Sequence, residues 1–116
     1  MKSILIGVVG PCAAGKSTLI QGLKARGYLA KHIAQEHSYV PDMWLRLTHP
    51  DVLVYLTVSY PLSVQRRILD WTPEEYAEQI QRLRHAREHA DINIDTDPLT
   101  PTDVLERVLQ FIQALG

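Results

Sequence analysis

The sequence has a single cysteine, Cys12, so no disulfide forms within the chain and the fold must rest on a packed core. It has almost no charge imbalance. The formal net charge is −1, without the basic excess that long nucleic-acid tracts select, so nucleic acid is not an expected partner. It has no internal repeat, low-complexity tract or linker-like stretch, which leaves one domain over residues 1–116. It also lacks a long apolar run. Residues 4–9 are apolar but give way at once to Gly10-Pro11. Neither a membrane span nor a secretory leader is expected, and the expected location is cytoplasmic.

What the sequence does have begins at that boundary. Residues 10–18 read GPCAAGKST, and Gly10, Gly15, Lys16 and Ser17 match G-x-x-x-x-G-K-[ST], a phosphate-cradling pattern. A buried-strand pattern precedes it. A helix pattern follows, with Leu19, Ile20 and Leu23 on one face and Gly27 as a stop. The residue types fit the chemistry. Glycines at 10 and 15, with small Ala13 and Ala14 between them, let backbone N–H groups approach an anion closely. The start of the following helix adds unpaired N–H groups, including that of Thr18. Lys16 supplies a mobile positive charge for terminal phosphates, and the Ser17 hydroxyl is a hard ligand for Mg²⁺.

The rest of the chain alternates strand and helix patterns. Residues 2–9 and 51–58 are near-continuous apolar runs, as strands covered on both faces require. Residues 28–35 form a weaker strand, and Lys31 and His32 place it near the sheet edge. A short strand is expected at 91–95. Helices are expected at 16–26, at 41–48 with Pro41 in first position, and at 60–69 with Val64 and Ile68 inward. A long helix from a Thr72-Pro73-Glu74-Glu75 capping box runs to about residue 89, and the last starts at Thr100-Pro101. Trp71 is expected to pack.

Side chains at the ends of parallel strands face a common crevice. Glu36 and His37 follow the second strand and so face the 10–18 loop, where Glu36 would hold Mg²⁺ or accept a proton. Asp42 has two readings: a base or metal-water ligand, or a helix-dipole partner. On the long helix, Arg87 shares the inward stripe of Tyr76, Ile80, Leu83 and Ala90, with Arg84 at its border. Arg82, His85 and His89 point the other way. An inward arginine needs an anion, either a carboxylate or a bound phosphate. His32, Glu36 and His37 do not have zinc-motif spacing, which needs one residue fewer between the histidines and a helix beneath them. Zinc is not expected.

The order of these features resembles the P-loop kinases of small molecules, of the shikimate, gluconate and adenylate kinase type. The resemblance covers nearly the whole chain, and its specific part is GPCAAGKST. It implies the P-loop NTPase fold: an α/β three-layer sandwich, here with a parallel sheet of about four strands. It implies ATP or GTP with Mg²⁺ as cofactors and an unidentified small-molecule acceptor. Residues 10–18 would bind the triphosphate, Arg66, Arg67, Arg84 and Arg87 would be lid contacts to phosphate, and Asp95 and Asp97 would lie near the base. In the catalytic set Lys16, Glu36, Asp42 and Arg87, Glu36 takes the place of the strand-end aspartate that the family carries and this chain lacks at Thr57. There is also little room for an acceptor subdomain. A minimal NTP hydrolase and a nucleotide-binding switch are therefore the alternatives to a kinase. Tyr39, Met43 and Trp44 are candidates for uncovered apolar surface and a homodimer contact.

Overall fold

Strands that are apolar at every position need cover on both faces, and the chain provides it. In the computed structural model, which describes residues 4–67 and 71–115 (Arg67 by its backbone alone), four strands form one parallel sheet in the order β2-β1-β3-β4. They are β1 (Leu5–Val9), β2 (Leu29–His32), β3 (Val52–Thr57) and β4 (Ile92–Asp95). The four parallel strands and the edge position of β2 agree with the sequence. β1 and β3 are central, in register Ile6 to Val52 and Val8 to Val54. Gly7 sits where a Cβ would lie 2.6 Å from Ile33 Cδ1 and 3.0 Å from Pro50 Cβ, so close packing across this face demands glycine.

Helices cover both faces. On one face, α1 (Lys16–Ala25) and α6 (Pro101–Ala114) bring Leu19, Leu23, Val108 and Ile112 against Ile6, Val8, Val54 and Leu56. On the other, Trp44 from α2 (Met43–Thr48), with Leu83 and Ala86, packs on Val9, Leu53 and Tyr55. Trp44 is thus core rather than uncovered surface, whereas Tyr39 and Leu47 remain exposed. α3 (Tyr60–Arg67) follows β3, and Trp71 packs edge-on against Tyr76. The Thr72/Glu75 capping box is present, and a second joins Thr100 to Asp103. Ile68 and Leu69, expected at the end of α3, and the side chain of Arg67 lie outside the described residues. Among the described residues no helix is long and apolar enough to cross a membrane.

Two expectations on helices are corrected, and one residue accounts for both. The helix expected at 41–48 starts at Met43, after a turn at Pro41-Asp42. The helix expected to run from 73 to about 89 breaks at Leu83 into α4 (Pro73–Arg82) and α5 (Arg84–His89). Gln35 is 1% exposed and lies in the 3₁₀ turn Gln35–His37 that follows β2. Its Oε1 accepts from the Trp44 N–H at 2.7 Å and caps α2 from outside that helix. Its Nε2 donates to Val40 O at 2.8 Å and to Arg82 O at 3.3 Å. A side chain that captures a helix carbonyl is a recognised cause of a kink.

The inward face of α4 and α5 differs from the expected stripe and runs through Gln79, Leu83 and Ala86. Leu83 and Ala86 are fully buried, while Arg84 and Arg87 are exposed. Arg82, expected to point outward, turns in: its Nη1 donates to Glu36 O at 3.3 Å and its guanidinium lies 4.3 Å above the Tyr39 ring. Replacing Gln35 by Leu leaves the Trp44 N–H and two carbonyls without their partner. Gln35→Leu is expected to cost at least about 2 kcal/mol, read as a lower urea midpoint at unchanged slope.

Candidate functional site

The loop at residues 10–18 joins the carboxyl end of β1 to α1, and its shape follows from three positions. Gly10 passes so close to β3 that a Cβ there would lie 2.5 Å from Leu56 O. Gly15, at φ 96°, is the N-cap of α1 in the left-handed region that glycine adopts freely. Ala13 takes φ 70°, a conformation that costs a non-glycine residue roughly 1–2 kcal/mol. Gly15 offers no side-chain cap. Among the described residues no side chain caps the first-turn N–H groups of Lys16, Ser17 and Thr18, and the dipole end stands open.

Residues 12–19 line a cleft of about 600 Å³ together with His32, Glu36, His37, Arg66, Thr96, Leu99, Pro101 and Val104. Lys16 is buried. Its ammonium donates to Gly10 O at 2.6 Å, Pro11 O at 3.1 Å and Glu36 Oε2 at 2.9 Å. Glu36 is 2% exposed, and its Oε1 has no hydrogen-bond partner among the described residues. His32 Nε2 and His37 Nε2 stand 3.9 and 3.8 Å from Glu36 Oε2. Burial, followed by the Lys16 charge, lowers the His32 pKa below its ordinary value and favours the neutral ring. Arg66 reaches across from α3. It donates to Thr96 Oγ1 at 2.9 Å, Thr96 O at 2.7 Å and Ala13 O at 3.4 Å. Thr96 is itself fixed by its hydroxyl, which donates to Thr57 O at 2.6 Å.

Of the expected site residues, Gly15, Ala13, Ala14, Lys16, Ser17, Thr18, Glu36 and Arg66 line this one cleft, with Gly10 beneath it holding the lysine. Others lie elsewhere. Asp42 is the N-cap residue of α2 and accepts from Arg46 Nε at 3.0 Å; that bond lowers its pKa. Arg84, Arg87 and Asp95 line a separate cleft beside Thr57 and Asn93. The two arginines share that helix face with Ala77 and Ile80. Asp97 accepts from the Ser59 N–H at 2.9 Å and shapes the loop after β4, so Thr96 and Leu99, not the flanking aspartates, face the main cleft.

Gln79 was not legible as a site residue. It is buried, its Oε1 accepts from Cys12 N at 3.0 Å, and its Nε2 donates to Cys12 Sγ at 3.3 Å, clamping α4 to the loop. No protein-family model matches the chain, and no curated protein is significantly similar to it, so its chemistry is read from this geometry.

The arrangement makes the Lys16–Glu36 pair an energetic keystone. Removing one partner leaves a buried charge alone. Lys16→Met is expected to destabilise by about 3–5 kcal/mol, and Lys16→Met/Glu36→Gln to recover most of that loss, as measured by chemical denaturation of the cycle. Gly10→Ala is expected to cost more than Gly15→Ala. The first drives a methyl into a backbone oxygen; the second meets nothing within 4 Å and bears only its left-handed φ.

Proposed function

We propose that this chain is a minimal P-loop protein that binds ATP or GTP with Mg²⁺ at residues 10–18 and transfers the terminal phosphoryl group to a small acceptor. The observation that carries the reading is the uncapped first turn of α1, opening on a cleft with the Lys16 ammonium held over its floor. Backbone N–H groups, a helix dipole and a cation converging on one space favour a polyanion. The parallel sheet, with the loop at the carboxyl end of a central strand, supports the P-loop fold.

Each residue has a derivable part. Gly10 and Gly15, with Ala13 and Ala14, keep the cradle open to phosphate oxygens. Lys16 leaves Glu36 to meet the β- and γ-phosphates, and Arg66, which lines the same cleft beside Ala13, neutralises charge. The residues fit the metal as well. Ser17 Oγ and the unpartnered Oε1 of Glu36 are hard oxygen donors, and Mg²⁺ held there would neutralise phosphate charge. Alternatively, if Glu36 does not hold the metal, its separation from Lys16 leaves a buried carboxylate without its cation, suited to accept the acceptor's proton. The base would lie near Thr96 and Leu99. A hydrolase is the second reading. It is favoured because, with Asp42, Arg84 and Arg87 elsewhere, only Glu36, His32 and His37 stand on the acceptor side among the described residues.

Titration calorimetry with ATP–Mg²⁺ and with GTP–Mg²⁺, followed by product analysis, tests this. The wild type and Glu36→Gln are expected to bind. Lys16→Met/Glu36→Gln, which leaves no lone buried charge, is expected to lose binding. Glu36→Gln is expected to retain binding but lose turnover by about 10²–10⁴-fold. Failure of the wild type to bind either nucleotide overturns the reading. Phosphate release without an acceptor selects the hydrolase.

A further inference from the structure

Glu36 is a buried carboxylate with one oxygen used and one left over, and its surroundings hold softer donors than a phosphate site calls for. Cys12 Sγ, a Glu36 carboxylate oxygen and a His37 ring nitrogen all lie within 4.8 Å of one another. Lys16 occupies Oε2, while Oε1 has no partner among the described residues and is shielded from water. His37 is exposed and free to rotate toward the cluster. Cys12 is half-buried at the cleft wall, where Gln79 Nε2 donates to its sulfur at 3.3 Å and fixes its direction.

We propose that Cys12, Glu36 and His37 form a binding site for a divalent transition ion of the zinc class at the rim of the cleft. A thiolate, an imidazole and a carboxylate are the donor set that zinc accepts. Tetrahedral coordination places donors about 3.5 Å apart, so the cluster closes by roughly 1 Å, mostly through the His37 ring. Three protein ligands leave a fourth position for water or for His32, whose Nε2 is 3.9 Å from Glu36 Oε2. Binding releases the Cys12 thiol proton to solvent and ties the loop to the 3₁₀ turn. The sequence pattern counted against zinc because His32, Glu36 and His37 have one residue too many between the histidines and no helix beneath them, and Cys12 was not weighed with them. The fold draws the donors from two separate loops, so their spacing along the chain carries no signature. The proposal goes beyond the nucleotide reading and does not rest on it.

The test is a titration of the full, reduced, tag-free chain with Co²⁺ in the absence of nucleotide. One ion per chain is expected, with a thiolate-to-cobalt charge-transfer band, intense four-coordinate ligand-field bands and displacement by Zn²⁺. Cys12→Ser is expected to abolish the charge-transfer band. His37→Ala, a change at an exposed side chain, is expected to weaken binding by about 10–100-fold. His89→Ala, which lies outside the cluster, is expected to leave the titration unchanged. Absence of the band in the wild type, or full-strength binding by His37→Ala, overturns the proposal. Cobalt bound in this way by a chain that binds no nucleotide supports this site and refutes only the nucleotide reading. Nucleotide binding without the cobalt band does the reverse.

Discussion

The buried pair between Lys16 and Glu36 is the constraint on which the loop, the cleft and the turn after β2 all depend. Withdrawing two charges from water costs several kcal/mol per ion, and the attraction between them offsets this only when their remaining valences are met. Here the two ends are unequal. The ammonium has three acceptors, two of them carbonyls of its own loop, whereas the carboxylate has one satisfied oxygen and one without a partner among the described residues. The lysine end is therefore complete and the glutamate end is not. A site with this asymmetry is poised toward a cation at Glu36 or toward an anion that draws Lys16 away.

Two buried amides hold that pair in place. Gln35 links the 3₁₀ turn to α2 and to the end of α4, and Gln79 links α4 to the loop through both the backbone and the sulfur of Cys12. Arg82 adds a bond from the same helix to the carbonyl of Glu36 itself. The apolar clusters on the two sheet faces supply the bulk of the stability, but hydrophobic contact is non-directional and sets no angle at the cleft. Direction comes from the amides. α4 is thereby the element that holds both halves of the ion pair's surroundings, although it contributes no residue to the cleft lining.

This division explains what was legible in the sequence. The apolar runs of β1 and β3, the GPCAAGKST loop and the Thr72 capping box are local patterns, and local patterns fix strands, helix starts and turns. Glu36 was reachable because a strand end in a parallel sheet has a defined place. Gln35 and Gln79 were not, since a single buried amide has no period. The break at Leu83 was not legible either: its cause is Gln35, 47 residues from the carbonyl it captures. The inward stripe was drawn through Tyr76, Ile80 and Arg87, whereas the buried one runs through Gln79, Leu83 and Ala86, so Arg87 was expected inside and Arg82 outside. Of the two readings of Asp42, the helix-terminus one fits its place at the N-cap of α2. Its partner, Arg46, lies one turn along α2, and a local ion pair satisfies it away from the cleft.

The two ligand proposals meet at a single carboxylate, and linkage fixes the sign of their relation. An anion that takes Lys16 removes the cation from Glu36 Oε2 and leaves both oxygens of a buried carboxylate to be neutralised. A cation at Glu36 weakens the hold of that carboxylate on Lys16 and frees the ammonium for an anion. Each ligand therefore removes the partner that the other must displace, and on charge alone their affinities rise together. Geometry opposes this for a thiolate-bound ion. Cys12, Glu36 and His37 line the same cleft as the first turn of α1, so an ion held between them would take space that phosphate oxygens need. Under the two proposals, a hard, oxygen-bound cation would share the cleft with a nucleotide, whereas a zinc-class ion on Cys12 and His37 would compete with it. The identity of the donor that completes Glu36, a hydroxyl from Ser17 or a thiolate from Cys12, thus decides whether metal and nucleotide cooperate or exclude each other.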